Sequence, residues 1–310
     1  MSKLSVLMPV YNGKKFLNIA IESVLSQTFR DFEFLIVDDG STDSSLNIIE
    51  GYAIKDHRIK IISQLNKGFG ESLNIGLKNC SCEIVARLDQ DDVMLPNRIE
   101  QQYSFLKKHK EIAIISCLAN YINDDGKIIG KTFSDLISVE DCQRYYKKNE
   151  AIGILHPGVM LRKSPVMQIG GFRSKFWPAE DIDLWNRMLE EGHKIIVMQL
   201  ILMQYRVSSS SEIATNFMNS RMKFEWVRKC MLERRAGKKE LTWDEFVQYK
   251  DSFSFLCQMN RKRKNFAKYY YRKAGYCIGE KKYFLFMINF SLAALLQPMY
   301  TFKKIIKQRV

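Results

Sequence analysis

Four times within the first hundred residues, an apolar run stops at a polar turn and helical spacing follows. Leu4–Val10 stops at Tyr11-Asn12-Gly13, and Phe16, Leu17, Ala20, Ile21 and Val24 then recur every third or fourth position. The run 32–37 stops at Asp38-Asp39-Gly40-Ser41-Thr42-Asp43 ahead of a helical stretch over 44–53. The run 59–62 precedes Asn66-Lys67-Gly68-Phe69-Gly70 and a helix over 72–77. The last run, from Ile84 to Leu88, stops at Asp89, Asp91 and Asp92; Pro96 follows, then Ile99, Tyr103 and Leu106 at helical spacing. Short apolar runs between breakers mark buried parallel strands, and strand–loop–helix repeats predict an α/β fold with a doubly wound, mostly parallel sheet. In such a sheet ligands bind outside the carboxyl ends of the strands, so all four polar turns should share one face.

The fourth turn is the most telling. Carboxylates crowded at a strand end repel one another, and a hard divalent cation, Mg²⁺ or Mn²⁺, relieves the repulsion through oxygen ligands. A solvated acidic turn capping the next helix is the plainer reading, adequate for a single Asp and strained for three. A second acidic site, Glu180-Asp181, opens a helical run in which Asp181, Leu184, Trp185 and Met188 share a face; carboxylates suit a helix start.

Between these sites, 112–116 and 156–162 have strand character, Asn123-Asp-Asp-Gly126 is a hairpin turn, and Gly170-Gly171-Phe172 a tight one. Beyond residue 220 the chain is helical and basic. Residues 1–220 hold 26 Lys/Arg against 27 Asp/Glu, whereas 221–310 hold 22 against 7, so the net +14 belongs to the tail. We therefore divide the chain into a domain over 1–220 and a basic helical C-terminal region over 221–310. Its charge calls for an anionic partner, and residues 283–302 carry no formal charge. That stretch reaches spanning length, but polar residues and equally basic flanks favour a helix lying in the membrane interface; packing on the domain is the third possibility. The seven cysteines show no metal-binding spacing, and the odd number without a signal sequence fits reduced thiols in the cytoplasm.

Together these motifs resemble glycosyltransferase family 2. The resemblance rests on Ser5-Val-Leu-Met-Pro-Val-Tyr-Asn12, Ser23-Val-Leu-Ser-Gln-Thr-Phe29 and Val37-Asp-Asp-Gly-Ser-Thr-Asp43, then on Asn66-x-Gly68, Asn74-x-Gly76, Asp89-Gln-Asp91-Asp92, His156-Pro157, Gly170-Gly171-Phe172 and Glu180-Asp181. It covers about residues 3–210 and implies a GT-A fold, an inverting transfer from a nucleotide-diphosphate sugar (UDP by default) and use of Mg²⁺ or Mn²⁺. By the same resemblance Tyr11 stacks on the donor base, with Pro9 in the same donor-binding group, and Asp39 reads the base edge. Asn66 and Lys67 lie near base and ribose, Asp89 and Asp91 hold metal and donor, with Asp91 the better metal ligand, and Asp181 is the catalytic base. The chemistry concurs: inversion needs one ionised carboxylate at the acceptor hydroxyl and positive charge on the departing diphosphate.

Ser208 departs from the family pattern, which often has a histidine two residues after Tyr-Arg. The Gln-x-x-Arg-Trp motif of processive synthases is absent, which favours addition of single sugars. The expected function is transfer of one sugar to a lipid-linked or polysaccharide acceptor in cell-surface glycan biosynthesis, by an enzyme peripheral on the inner face of the cell membrane. The alternative is a non-catalytic nucleotide-sugar binding or scaffold protein. Nucleic acid is not expected as a partner, since the basic clusters lack regularly interleaved aromatics. Gly68-Phe-Gly70 lacks the third glycine of a dinucleotide fingerprint.

Overall fold

The structure, a computed structural model, describes residues 2–207 and 216–301. The chain forms two compact units: residues 1–121 with 131–206, and residues 122–130 with 207–310.

The first unit is built on the repeats read above. β1 (Leu4–Val10), α1 (Leu17–Leu25), β2 (Phe32–Asp38), α2 (Ser45–Lys55), β3 (Ile59–Ser63), α3 (Phe69–Asn79) and β4 (Ile84–Arg87) follow in order. After them come β5 (Val93–Met94), α4 (Arg98–Lys108), β6 (Ile112–Ile122), α5 (Val139–Lys147), β8 (Met160–Arg162), α6 (Lys163–Gln168), α7 (Glu180–Glu190) and β9 (Lys194–Arg206); β7 (Ile128–Lys131), between β6 and α5 in the chain, falls mainly in the second unit. The sheet order is β3-β2-β1-β4-β8-β6-β9-β5. β3, β2, β1 and β4 are mutually parallel, with Leu4 opposite Phe32 and Ser5 opposite Val85. The other half is mixed: β8 runs antiparallel to β4 and β6, and β5 antiparallel to β9. An acidic turn too short for a crossover separates β4 from β5, so β5 cannot join β4's parallel set. The strand expected over 156–162 is shorter, because His156–Gly158 forms a 3₁₀ turn around Pro157, which has no N–H for a ladder.

Alternation along β1 and β2 sends side chains into two cores. Val6, Met8, Phe34 and Ile36 meet Ala20 and Ile21 of α1, Ile49 of α2 and Ile99 of α4 on one face. Leu7, Leu35 and Val37 meet Leu73 and Leu77 of α3 and Leu184, Trp185 and Met188 of α7 on the other. Helices on both faces are the doubly wound arrangement expected. α3 lies so close to β1 that a Cβ on Gly76 would stand 2.2 Å from Leu7 Cδ1.

One buried carboxylate ties the parallel strands together. Glu33 of β2 accepts from Ser5 Oγ of β1 at 2.5 Å, from Lys60 Nζ of β3 at 2.7 Å and from the Ser81 N–H ahead of β4 at 2.5 Å. Burial raises its pKa, but the bonds from Lys60, Ser5 and Ser81 outweigh it and hold Glu33 at about 2.

The second unit holds α8 (Phe217–Arg235), α9 (Trp243–Asp251), α10 (Phe255–Gly279) and α11 (Tyr283–Leu296). Thr242 and Glu245 form a capping box at the start of α9, and Trp226 of α8 donates its Nε1–H to Leu241 O at 2.9 Å. α10 packs on α8 through Phe217 and Tyr269 and against α11 along its length. Asn123 of the 122–130 segment donates to Glu280 Oε1, and the backbone of Gly279 lies against Ile129. α11 buries Asn289 and Ala293 and leaves Phe284, Met287, Ile288 and Leu295 exposed, Phe284 at 76% and Leu295 at 78%. No helix among the described residues is long and apolar enough to cross a membrane.

A folded pKa below the ordinary 4.5 means that Glu33 contributes stability above pH 4.5 and loses it as pH falls towards 2. Glu33→Gln is expected to cost about 2 kcal/mol at neutral pH. Urea unfolding across pH should show the deficit shrinking between those limits.

Candidate active site

The carboxyl ends of β1, β2 and β4 carry the expected turns, and side-chain clamps hold those turns to one another. At the β1 turn, Gln90 Oε1 accepts from Tyr11 N–H at 2.8 Å, and Gln90 Nε2 donates back to Tyr11 O at 3.1 Å. A Cβ on Gly13 would stand 2.4 Å from Gln90 Oε1, so glycine permits this approach. Asn12, in the left-handed region at φ 50°, accepts from Thr42 N–H and Asp43 N–H with its side chain, joining the β1 and β2 turns. The Tyr11 ring is left 47% exposed. Pro9 is buried within β1, opposite Val37.

Asp39 is buried and accepts from Lys67 N–H and Gly68 N–H at 2.9 Å each and from Gln64 Nε2 at 2.7 Å. Its carboxylate therefore shapes the 64–68 turn, leaving the Asn66 and Lys67 side chains exposed beside it. Asp38 is also buried; Oδ2 accepts from Ser41 N–H, and Oδ1 has no protein partner.

The three aspartates after β4 do different things. Asp92 turns inward: it is 1% exposed, and its Oδ1 accepts the Arg206 N–H at the end of β9 at 2.8 Å. Arg206 Nε donates to Asp91 O at 2.9 Å, and its guanidinium stacks on Phe16, so this turn is fixed to β9. Asp89 and Asp91 remain partly exposed. Asp89 is gripped by Arg87, whose Nη2 donates to Oδ1 at 2.5 Å and Nη1 to Oδ2 at 3.2 Å. Burial first, and the neighbouring Asp89 second, push the Asp91 carboxyl up to about 6.

α7 brings the second acidic pair to the same place. Glu180 is buried, with Oε2 unpartnered, and Asp181 is partly exposed, its Oδ1 accepting from Ile182 N–H at 2.7 Å. Desolvation raises Glu180 to about 8, with the Asp181 charge adding to it, and desolvation raises Asp181 to about 6. Arg87 lowers and Asp89 raises both carboxyls, so two clusters about ninety residues apart in sequence share one electrostatic site. A pair this close titrates as a unit, with burial pushing both carboxyls upward and Glu180 the further.

Buried ties hold α7 in register. Asp183 accepts from Arg173 Nε at 2.8 Å and Arg187 Nε at 2.9 Å, while Arg187 also donates to Ile169 O at 2.7 Å and Gly171 O at 2.5 Å. Asn74 of α3 clasps Phe172 through both its N–H and its carbonyl, at 2.8 Å each. The Asn74-x-Gly76 and Gly170-Gly171-Phe172 motifs are therefore two halves of one joint. His156 is buried among the rings of Phe69, Phe172 and Trp185, Nε2 unpartnered; burial, then Arg87, hold its pKa well below the ordinary value. Trp177 is 38% exposed and packs against Phe69, the ring centroids 5.0 Å apart and the planes tilted by 46°.

Sequence reading missed Arg87, Gln90 and Gln64. Arg87 had a signal: a charged residue breaks an otherwise apolar strand two positions before an Asp, on the same side of the backbone. Gln90 and Gln64 had none, since their partners are main-chain groups or lie far off in the chain. Ser208 lies outside the described residues. Among the described residues no three His, Cys, Asp or Glu side chains form a ready-made metal cage. The hard oxygen donors of Asp89 and Asp91 nonetheless suit Mg²⁺ or Mn²⁺, which take one or two carboxylates and complete their shell with water and phosphate oxygens.

Comparison with known proteins places this geometry in a class. Residues 5–170 match the model of glycosyl transferase family 2, more than half the chain, and the protein belongs to that family. It is 30% identical over 218 residues to the O-antigen biosynthesis glycosyltransferase WbnJ of Escherichia coli, covering 67% of this chain and 81% of WbnJ. In fold it resembles S. aureus TarS 1–349, crystallised with UDP-GlcNAc (TM-score 0.58, 17% identity, 96% of this chain and 92% of that one). It also resembles the mannosyltransferase PcManGT of Pyrobaculum calidifontis, crystallised with GDP-Man and Mn²⁺ (TM-score 0.55, 14% identity, 97% and 83%). The expected GT-A α/β fold is thus borne out, with the sheet mixed in its second half.

Proposed function

We propose that this family 2 glycosyltransferase moves a single sugar, with inversion, from a nucleotide-diphosphate donor to a hydroxyl of a lipid-linked or polysaccharide acceptor in cell-surface glycan synthesis. The carrying observation is the convergence of Asp89-x-Asp91 with Glu180-Asp181 around one guanidinium. Relatives in O-antigen synthesis support the acceptor class. UDP is the preferred donor nucleotide; it sits with TarS's ligand, while the GDP-Man of PcManGT shows that the fold takes other nucleotides.

In this reading Tyr11 offers its exposed ring to the base, beside Pro9, with Asn66 and Lys67 along base and ribose. Asp39 acts there by holding the Lys67 and Gly68 N–H groups in place. Asp91, with Asp89 beside it, would hold Mg²⁺ or Mn²⁺, which when bound supplies positive charge to the diphosphate. Asp181 accepts the acceptor hydroxyl proton on Oδ2, since Oδ1 is engaged by Ile182 N–H. The acceptor oxygen bonds to the anomeric carbon from the face opposite the diphosphate, the carbon–oxygen bond to phosphate breaks, and its electron pair leaves with the diphosphate. Neutral Glu180 keeps a second negative charge away from the base, and Phe69, His156 and Trp177 wall the site with apolar and neutral surface.

Anionic lipid is the surface we assign to the second unit, at the inner face of the cell membrane, where a lipid-linked acceptor would be presented. The stripe Phe284, Met287, Ile288 and Leu295 on α11 suits the headgroup boundary, and Arg261, Lys262, Arg263, Lys264 and Lys273 on α10 supply its counter-charge. A 14-residue helix is too short to span, since a span needs about 20 residues.

Asp181→Asn should cut turnover by about 10³-fold with donor affinity unchanged in calorimetry; retained turnover would remove Asp181 from the role. The base works deprotonated, so kcat/KM should rise with pH through about 6. Phe284→Asp with Ile288→Asp should weaken sedimentation with phosphatidylglycerol vesicles about tenfold or more, leaving donor turnover intact. Equal binding to neutral phosphatidylcholine vesicles, or no effect of the double substitution, would refute the lipid-facing assignment.

A further inference from the structure

We infer that Arg87 is a cationic latch on the metal side of the site: it holds both oxygens of Asp89 until metal and diphosphate arrive, and so weakens binding of the bare cation. The inference rests on the reading of Asp89 and Asp91 given under the proposed function.

Asp89 spends both carboxylate oxygens on one guanidinium. The pair is shielded, with the arginine side chain 4% and the aspartate 24% exposed, so the attraction is stronger than at a surface. The backbone of Arg87 cannot yield: its N–H donates to Val159 O at 2.9 Å, and its carbonyl accepts from Arg98 Nη2 at 2.8 Å. Arg98 is itself fully buried and braced by Gln102. The guanidinium packs over the Phe69 ring at 5.0 Å, and its buried Nε has no protein partner. It is thus aimed at Asp89 along two arms, and not all of its five N–H donors are spent on that carboxylate.

Two consequences follow. A divalent cation approaching without its diphosphate meets a fixed positive charge and an Asp89 already engaged, which leaves Asp91 as the accessible carboxylate. A cation arriving with a diphosphate brings oxygens that can take up Arg87, releasing Asp89. Arginine suits this role better than lysine, because only its planar fork occupies both carboxylate oxygens. A purely structural ion pair would behave in the opposite sense, since its removal would loosen the turn and weaken metal binding.

The test is Mn²⁺ binding to the full chain without donor, followed by the electron paramagnetic resonance of free Mn²⁺. Arg87→Met should bind Mn²⁺ about tenfold more tightly than the unsubstituted protein, the scale of removing one partly screened charge, while its turnover falls. Arg87→Lys keeps the charge but releases one oxygen, and should be about threefold tighter; it carries the test should Arg87→Met fail to fold. Unchanged or weaker affinity in a folded variant would overturn the latch while leaving the metal reading intact. Absence of Mn²⁺ binding by the unsubstituted protein and the variants alike would overturn both.

Discussion

The acidic face at the strand ends depends on one buried guanidinium set among carboxylates. Asp89, Asp91, Glu180 and Asp181 would repel one another if all were ionised, and burial makes that repulsion costly. The structure answers in three ways. Arg87 neutralises Asp89 directly, burial pushes the Glu180 carboxyl up towards its neutral form, and Asp91 and Asp181 remain partly exposed, open to the cation and acceptor proposed for them. Such a balance suits the divalent cation and phosphorylated donor that we propose for it.

The fold delivers that balance by topology. Parallel strands tied together through Glu33 send their carboxyl ends to one side, where the turns after β1, β2, β3 and β4 clasp one another through Asn12, Gln90 and Asp39. α7 comes from a distant part of the chain, and its position is set by the buried Asp183 pairs and by Asn74 closing on Phe172. The turns are thus preorganised by hydrogen bonds to main-chain N–H groups, which ligand binding need not first create.

Much of this was legible in the sequence, and the reasons are local. Hydrophobic runs ending in Asp-Asp-Gly or Asp-Gln-Asp-Asp mark a strand and its acidic end together, because both are properties of contiguous residues. That the Asp-x-Asp turn and Glu180-Asp181 face a common centre came from resemblance; in the fold, Arg87 holds Asp89 directly and lowers the Asp181 carboxyl electrostatically. The division of labour among adjacent aspartates was not legible: Asp92 and Asp91 differ by one position, yet one turns into the core to meet Arg206 and the other stays accessible. Strand direction in the second half was equally hidden, since β8 carries three residues and pairs only with distant segments. Gly76 shows the converse case, a motif residue whose reason, the approach of Leu7, is visible only in three dimensions.

The central claim is that the acidic face at the strand ends is a metal-assisted nucleotide-sugar site. Calorimetry with a panel of UDP-, dTDP- and GDP-sugars, each with and without Mn²⁺, tests it most directly. The account predicts that one sugar nucleotide binds, that Mn²⁺ tightens it, and that Asp91→Ala abolishes the Mn²⁺ effect. Absence of binding by every sugar nucleotide, with Mn²⁺ present, would contradict it.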